Sequence, residues 1–127
     1  MKKFFIINLP VYNIDLAISV GQDDKDFKRS IYRVWNIPEN DFSPSIPEYA
    51  QATTLCLDLD GVYVPYCIRF KNHPKKDGTA GHKNIAHEAL HATYRILRSR
   101  GLHLTYESEE AFTYLLGHIV EQIYNNL

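Results

Sequence analysis

Residues 87 to 91 read His-Glu-Ala-Leu-His, a spacing that suits a metal site built for hydrolysis. On a helix, positions four residues apart lie on one face, so His87 and His91 can direct both imidazoles at a single metal ion. Glu88 lies beside them and can accept a proton from a metal-activated water. The pentapeptide therefore predicts one bound zinc ion with Glu88 as the general base. The alternative is a chance string inside an ordinary amphipathic helix.

A catalytic zinc ion takes three protein ligands and keeps another position for water, so a third ligand should follow farther along the chain. The candidates are His103, Glu107, Glu109, Glu110 and His118. Glu110 lies nearly opposite the apolar stripe of its segment, as the two histidines do in theirs. If both segments turn their apolar sides to one core, Glu110 is the carboxylate most free to reach the metal. Glu109 is the second choice, and the alternative role for either is a charge in the first turn of a helix.

Two helices are predicted to position these residues, because apolar residues recur there at helical spacing. The first runs from about residue 82 to 100, and Gly101 is placed to end it. Its apolar side consists of Ile85, Ala86, Ala89, Leu90, Thr93, Ile96 and Leu97. Its opposite side consists of His87, Glu88, His91 and Arg95. The second helix begins after Ser108, the expected N-cap. Its apolar stripe is Phe112, Leu115, Leu116, Ile119, Val120 and Ile123.

The first part of the chain alternates between strand and helix patterns. Residues 3–9 and 11–20 are rich in Phe, Ile and Val, and they predict two strands joined or kinked at Pro10. Acidic residues followed by apolar residues at helical spacing predict a helix from about residue 24 to 35. The proline-containing segment 36–48 then predicts a loop.

Residues 53–60 and 62–70 again have the composition of strands, and Asp60-Gly61 between them is a strong hairpin-turn signal. Pro65 predicts that the second of these strands has an unpaired edge. Together the patterns predict a single α+β domain over residues 1–127, with a small, mainly antiparallel sheet packed against three helices.

The composition is that of an ordinary globular protein. With 45% hydrophobic residues, 23% charged residues and a net charge of -1 over 127 residues, the chain gives no sign of a nucleic-acid or membrane partner. Asn8 and Pro10 interrupt the apolar start and no run is long enough to cross a bilayer, so a cytoplasmic protein is expected. Cys56 and Cys67 are too few for a disulfide framework and are expected to be buried thiols.

The two helical segments resemble the gluzincin metallopeptidases, the thermolysin-like branch of the zincins. The resemblance rests on His87 to His91 and on residues 110–121, which read Glu-Ala-Phe-Thr-Tyr-Leu-Leu-Gly-His-Ile-Val-Glu. The short connection between them is similar to that of small zincin-like proteins encoded by bacteriophages and bacteria. The resemblance implies a minimal domain that hydrolyses a peptide or protein substrate, with Glu110 as the third zinc ligand.

The resemblance also implies a mechanism. Zinc lowers the pKa of its bound water to about 7, and Glu88 accepts the proton and passes it to the leaving amine. A strand before the active helix often binds an extended peptide in zincins, and residues 62–70 are the strand so placed.

The chain departs from the family pattern in two respects. Thermolysin has an aspartate that orients a zinc histidine where this chain has Tyr114. The larger enzymes have a further helical domain that supplies transition-state donors. The candidates for that donor here are Tyr106, Tyr114, His118 and Arg95.

Two other functions fit parts of the sequence. Residues 55–64 resemble the first motif of haloacid-dehalogenase-type phosphatases, with Asp58 as the nucleophile and Asp60 after it. That motif falls in mid-chain with no second acidic motif, which favours a hairpin turn instead. The more serious alternative is a zincin-like domain that binds zinc without catalysis and serves as an interaction or regulatory module. The short chain and the lack of an obvious transition-state donor motivate this alternative.

Overall fold

The computed structural model describes residues 1–39, 42–57 and 65–127, and arranges them as one sheet with helices on both faces. The strands are β1 (Lys3–Leu9), β2 (Ile14–Val20), β3 (Ala52–Cys56) and β4 (Tyr66–Phe70). The helices are α1 (Asp24–Trp35), α2 (Gly78–Ser99) and α3 (Glu109–Asn126). The predicted α+β class, with three helices on a small sheet, is therefore confirmed. Within the described residues, none of the helices is long and apolar enough to cross a membrane.

The sheet is mixed, with the strand order β1-β2-β4-β3. The pairs β1/β2 and β3/β4 are antiparallel, with Thr54 opposite Ile68, whereas β2 and β4 run parallel. The prediction of a mainly antiparallel sheet is therefore confirmed. The unpaired edge predicted for residues 62–70 is wrong over Tyr66–Phe70, because β4 has a partner on each side and Pro65 precedes the ladder. In the described sheet, the outer strand on that side is β3.

Strand β2 shows how the sheet separates two cores. Its side chains alternate between the two faces, as the pleat of a strand requires. Leu16, Ile18 and Val20 are fully buried in the core shared with α2 and α3, while Ala17 is buried with Phe27 of α1. Burial on both faces explains why most of β2 is apolar.

Helix α2 begins one turn earlier than predicted, at Gly78 and not near residue 82. The sequence Gly-Thr-Ala-Gly reads as a loop because glycine disfavours helix, so packing must hold this turn. Gly81 is buried against the 3-10 turn Pro74–Asp77, and a Cβ atom on Gly81 would lie 1.7 Å from the Pro74 carbonyl oxygen. This close approach needs glycine and fixes the start of the helix that carries the histidines.

The loop that leads into β3 is anchored by cations on and after β4. The buried Arg69 side chain donates from Nη1 to the Pro44 carbonyl at 2.6 Å. Lys71 Nζ donates to the carbonyls of Pro47 and Glu48 at 3.1 Å and 2.8 Å. These bonds hold the loop beside the sheet, where it borders the candidate site.

The two cysteines differ in exposure. Cys67 is buried as expected, but Cys56 is exposed, so the expectation of two buried thiols is wrong for Cys56. Cys56 lies at the end of the outer strand, which the sequence did not indicate. Burial raises the pKa of the Cys67 thiol, which therefore stays protonated at neutral pH.

The close contact at Gly81 makes a stability prediction. Gly81→Ala should lower the free energy of unfolding by about 3 kcal/mol, because the added methyl group forces α2 away from Pro74. Gly117→Ala is the matched control, since a Cβ atom there meets nothing within 4 Å. The control should raise stability by about 0.5–1 kcal/mol. Urea unfolding measures both, and a Gly81→Ala protein as stable as the wild type would contradict the contact.

Candidate metal centre

His87 and His91 lie one turn apart on α2 and bring their imidazoles together. Their Nε2 atoms are 3.1 Å apart, and both residues are exposed. Two nitrogen ligands at the usual zinc distance of about 2.0–2.1 Å lie about 3.3 Å apart in tetrahedral coordination. The same separation also fits a hydrogen bond between a protonated and an unprotonated ring nitrogen. The pair thus has the spacing that a shared zinc ion requires.

Glu88 differs from the two histidines in its surroundings, although all three were predicted on one side of the helix. Strand β3 covers the Glu88 side chain, which is only 6% exposed. Its Oε2 accepts a hydrogen bond from the Thr54 hydroxyl at 2.5 Å. The hydroxyl lies farther from the Glu88 carbonyl oxygen, at 3.1 Å, so its single proton goes mainly to the carboxylate. A buried carboxylate needs such a partner, and Thr54 supplies it.

Arg95 lies one turn after His91 and is tied to the same residue of β3. Its Nη1 donates to the Thr54 carbonyl at 2.7 Å. Thr54 therefore bonds Glu88 through its side chain and Arg95 through its backbone. Because this carbonyl accepts from α2, it points away from β4, toward the outer edge of the sheet. The two bonds join the edge strand to the helix at the site.

These side chains line a surface pocket of about 220 Å³ between α2 and β3. Helix α2 contributes His87, Glu88, His91 and Arg95. Strand β3 contributes Ala52, Thr53 and Thr54, and the preceding loop contributes Pro47, Tyr49 and Ala50. One wall therefore carries two possible metal ligands, a carboxylate and a cation, and the other wall is formed by the edge strand and the loop before it.

The predicted third ligand lies on the other helix. Glu109 and Glu110 are exposed in the first turn of α3. Among the described residues, no three His, Cys, Asp or Glu side chains come together as a metal-binding group. The structure therefore does not bring either glutamate to the imidazole pair, and the assignment of Glu110, with Glu109 as second choice, stays a prediction.

The register of the two long helices explains this separation. His82 stacks on Tyr124 with ring centroids 5.5 Å apart, and Tyr94 contacts Phe112 at 6.3 Å, so α2 and α3 run antiparallel. Glu110 precedes Phe112 and lies level with the part of α2 beyond Tyr94. That level is roughly 7 Å along the axis from the nearer imidazole. A glutamate side chain must span this offset to reach the pair.

The four candidates for a transition-state donor lie in different places. Arg95 lines the pocket of the imidazole pair. Tyr114 and His118 line another pocket, of about 330 Å³, beside the 3-10 turn Pro10–Tyr12. Tyr106 is exposed in the segment before α3. Of these four residues, only Arg95 lies beside the imidazole pair, and the assignment of a transition-state donor stays a prediction.

Two predictions concern the strands near the site. Residues 62–70 were expected to form the strand that faces a substrate, but the strand beside the histidines is β3 and β4 lies inside the sheet. That expectation is wrong because β4 inserts between β2 and β3, an order that local patterns do not encode. The phosphatase-like motif at Asp58 and Asp60, with the predicted turn at Asp60-Gly61, lies outside the described residues.

Thr54 is a site residue that the sequence did not single out. In the sequence it is an ordinary β-branched residue of a predicted strand. Its importance depends on which strand packs along α2 and which face of that strand turns inward. The only local signal is a hydroxyl at an inward position of a strand, which is too common to be diagnostic.

Comparisons with protein-family models, curated proteins and solved structures found no match for this chain.

The hydrogen bond from Thr54 to Glu88 can be tested by substitution. Thr54→Val should lower the free energy of unfolding by about 1–3 kcal/mol, because it leaves a buried carboxylate without its donor. Thr54→Ser keeps the hydroxyl, so its free energy of unfolding should fall clearly less than that of Thr54→Val. Thr53→Val is the matched control, because no hydrogen bond of the Thr53 side chain is found in the described residues, and it should stay within about 0.5 kcal/mol of wild type. Equal stability of the Val and Ser variants at Thr54, measured by urea unfolding, would rule out this bond as a stabilising contact.

Proposed function

We propose that this protein is a zinc-dependent metallopeptidase of the gluzincin type, similar to the small zincin-like proteins of bacteriophages and bacteria. The observation that carries the proposal is the 3.1 Å separation of the His87 and His91 Nε2 atoms in a pocket that also contains Glu88. A site with two imidazoles, one carboxylate and room for a substrate fits hydrolysis better than structural metal binding, which uses closed coordination by four protein ligands.

The proposed mechanism gives roles to His87, His91, Glu88 and Glu110. His87 and His91 hold the metal, and Glu110 is the proposed third ligand. A zinc ion in this position supplies Lewis acidity, which brings the pKa of a coordinated water to about 7. With the metal bound, Glu88 would be the group that accepts a proton from a water in the pocket and passes it to the nitrogen of the leaving amine. The Thr54 hydroxyl donates to Oε2 of this carboxylate and would hold the side chain in position.

The edge strand provides a way to hold the substrate. Gln51 O and Leu57 N bond residues at the two ends of β4, so the alternate residues Ala52 and Thr54 direct their backbone groups outward. The Thr54 carbonyl already accepts from Arg95, which leaves the Thr54 N–H and both groups of Ala52 for a peptide. An extended peptide that pairs with this edge lies along the pocket wall, facing the imidazole pair. In this proposal β3 takes the part that the sequence had given to residues 62–70.

A zinc-binding module without catalysis is the second candidate. The observation that favours it is the position of Glu110, which does not join the imidazole pair in the described structure. Two histidines with water ligands would still bind zinc, although less tightly than three protein ligands.

A cytoplasmic location belongs to the same proposal. It is supported by Cys67, which is a buried free thiol, as is usual in a reducing compartment.

Glu88→Gln tests the mechanism. The amide oxygen of Gln can still accept the Thr54 hydrogen bond, but the side chain cannot accept a proton. We expect kcat/KM for peptide hydrolysis to fall by about 10²-fold or more, with zinc still bound at one ion per chain. Cleavage of a randomised peptide library, followed by mass spectrometry, measures activity, and Glu121→Gln on the exposed side of α3 is the matched control. Undiminished cleavage by Glu88→Gln would contradict the role of Glu88.

The zinc content of further variants tests the ligand set, and cleavage by the zinc-loaded wild type separates the two candidate functions. His91→Ala should lose zinc under either of them. Glu110→Ala should lose zinc if Glu110 is the third ligand, and full retention would remove it from the ligand set. Stoichiometric zinc in the wild type, with no cleavage of the library at any pH tested, would favour the non-catalytic module.

A further inference from the structure

We propose that Arg95 binds a carboxylate of the substrate, so that the site acts on peptides with a free C-terminus or an acidic side chain next to the scissile bond. This inference rests on the proposed peptidase function and specifies its substrate class. Arg95 is the only lysine or arginine among the described residues that line the pocket. It therefore gives one end of the pocket a positive charge.

The charge of Arg95 is available to a ligand. Its Nη1 donates to the neutral Thr54 carbonyl at 2.7 Å, and no ion pair to a carboxylate is found for it in the described residues. Glu88 lines the same pocket, but no ion pair joins it to Arg95 in the described residues, and its Oε2 accepts from Thr54. A guanidinium has five N–H donors and does not lose its proton at physiological pH. Most of its donors therefore remain for a ligand.

The bond to Thr54 also prepares Arg95 for binding. An arginine in solvent loses side-chain entropy when it is fixed on a ligand, and part of that cost is already met here by the bond to the edge strand. The planar guanidinium can then form two parallel hydrogen bonds with a carboxylate. A lysine in this position would provide a charge without that geometry.

The distance along the helix defines where the carboxylate must be. Arg95 follows His91 by four residues, which is about 6 Å along the axis of α2. An extended peptide advances about 3.3 Å per residue. If the scissile carbonyl lies at the imidazole pair, a group one or two residues away comes level with the guanidinium. A C-terminal carboxylate or the side chain of Asp or Glu satisfies this spacing.

Peptide binding to the Glu88→Gln protein tests the proposal without turnover. The probes are N-acetylated alanine pentapeptides with one phenylalanine, made with a free C-terminal carboxylate or a C-terminal amide. A second set is amidated and carries either Glu or Gln at each position in turn. Titrations are carried out without metal, because zinc would itself bind carboxylates, and then with one equivalent of zinc. The first set identifies a terminal carboxylate and the second an acidic side chain.

We expect the carboxylate member of at least one pair to bind about tenfold more tightly than its neutral partner, and the difference to shrink at high salt. Arg95→Gln should abolish the difference, and Arg95→Lys should restore part of it. Arg98→Gln is the matched control, because Arg98 lies on the same helix but bonds the Tyr94 hydroxyl at 2.8 Å and does not line the pocket. Equal binding within every pair, including no measurable binding, would overturn the proposal, as would a preference that persists in Arg95→Gln without metal.

The outcome is separable from that of the peptidase proposal. A wild-type protein that cleaves peptides without any preference for carboxylates would keep the peptidase and overturn the role of Arg95. A carboxylate preference that depends on Arg95, in a protein that cleaves nothing, would keep the binding site and overturn the peptidase.

Discussion

The candidate site depends on one residue of the edge strand, Thr54, which is bonded twice to helix α2. Its hydroxyl donates to the Glu88 carboxylate and its carbonyl accepts from Arg95. The first bond gives a buried carboxylate its donor, and the second adds another link between the outer strand and the helix. The order of the strands makes this arrangement available, since β4 inserts between β2 and β3 and leaves β3 at the edge beside α2.

Three sides of helix α2 face three different surroundings: the core beneath the sheet, helix α3 and the pocket. Ile85, Ala89 and Ile96 are buried in the core beneath the sheet. His82 and Tyr94 contact α3 through their rings. The third side carries the imidazole pair and Arg95 and borders the pocket. This division keeps the polar side chains away from the core, and it places Glu88 where β3 shields it from solvent.

The sequence predicted the features that depend on local patterns. The helical period of residues 82–100 was enough to place His87 and His91 on one face, and α1 begins and ends where acidic and apolar residues predicted. The first turn of α2 was missed because its stability comes from the contact of Gly81 with Pro74 and not from helix propensity. The sequence placed the edge strand beside the site at residues 62–70, whereas β3 occupies that edge. This prediction failed because strand order is a property of the whole sheet. The same limit hid Thr54, whose partners are 34 and 41 residues away in sequence.

The central claim is that His87 and His91 share one zinc ion, and X-ray absorption at the zinc K edge tests it most directly. With one equivalent of zinc, we predict two imidazole ligands and oxygen ligands at about 2.0–2.2 Å. His91→Ala should reduce the imidazole count to one or abolish binding. A zinc–sulfur distance of about 2.3 Å, or an imidazole count unchanged in His91→Ala, would contradict the claim.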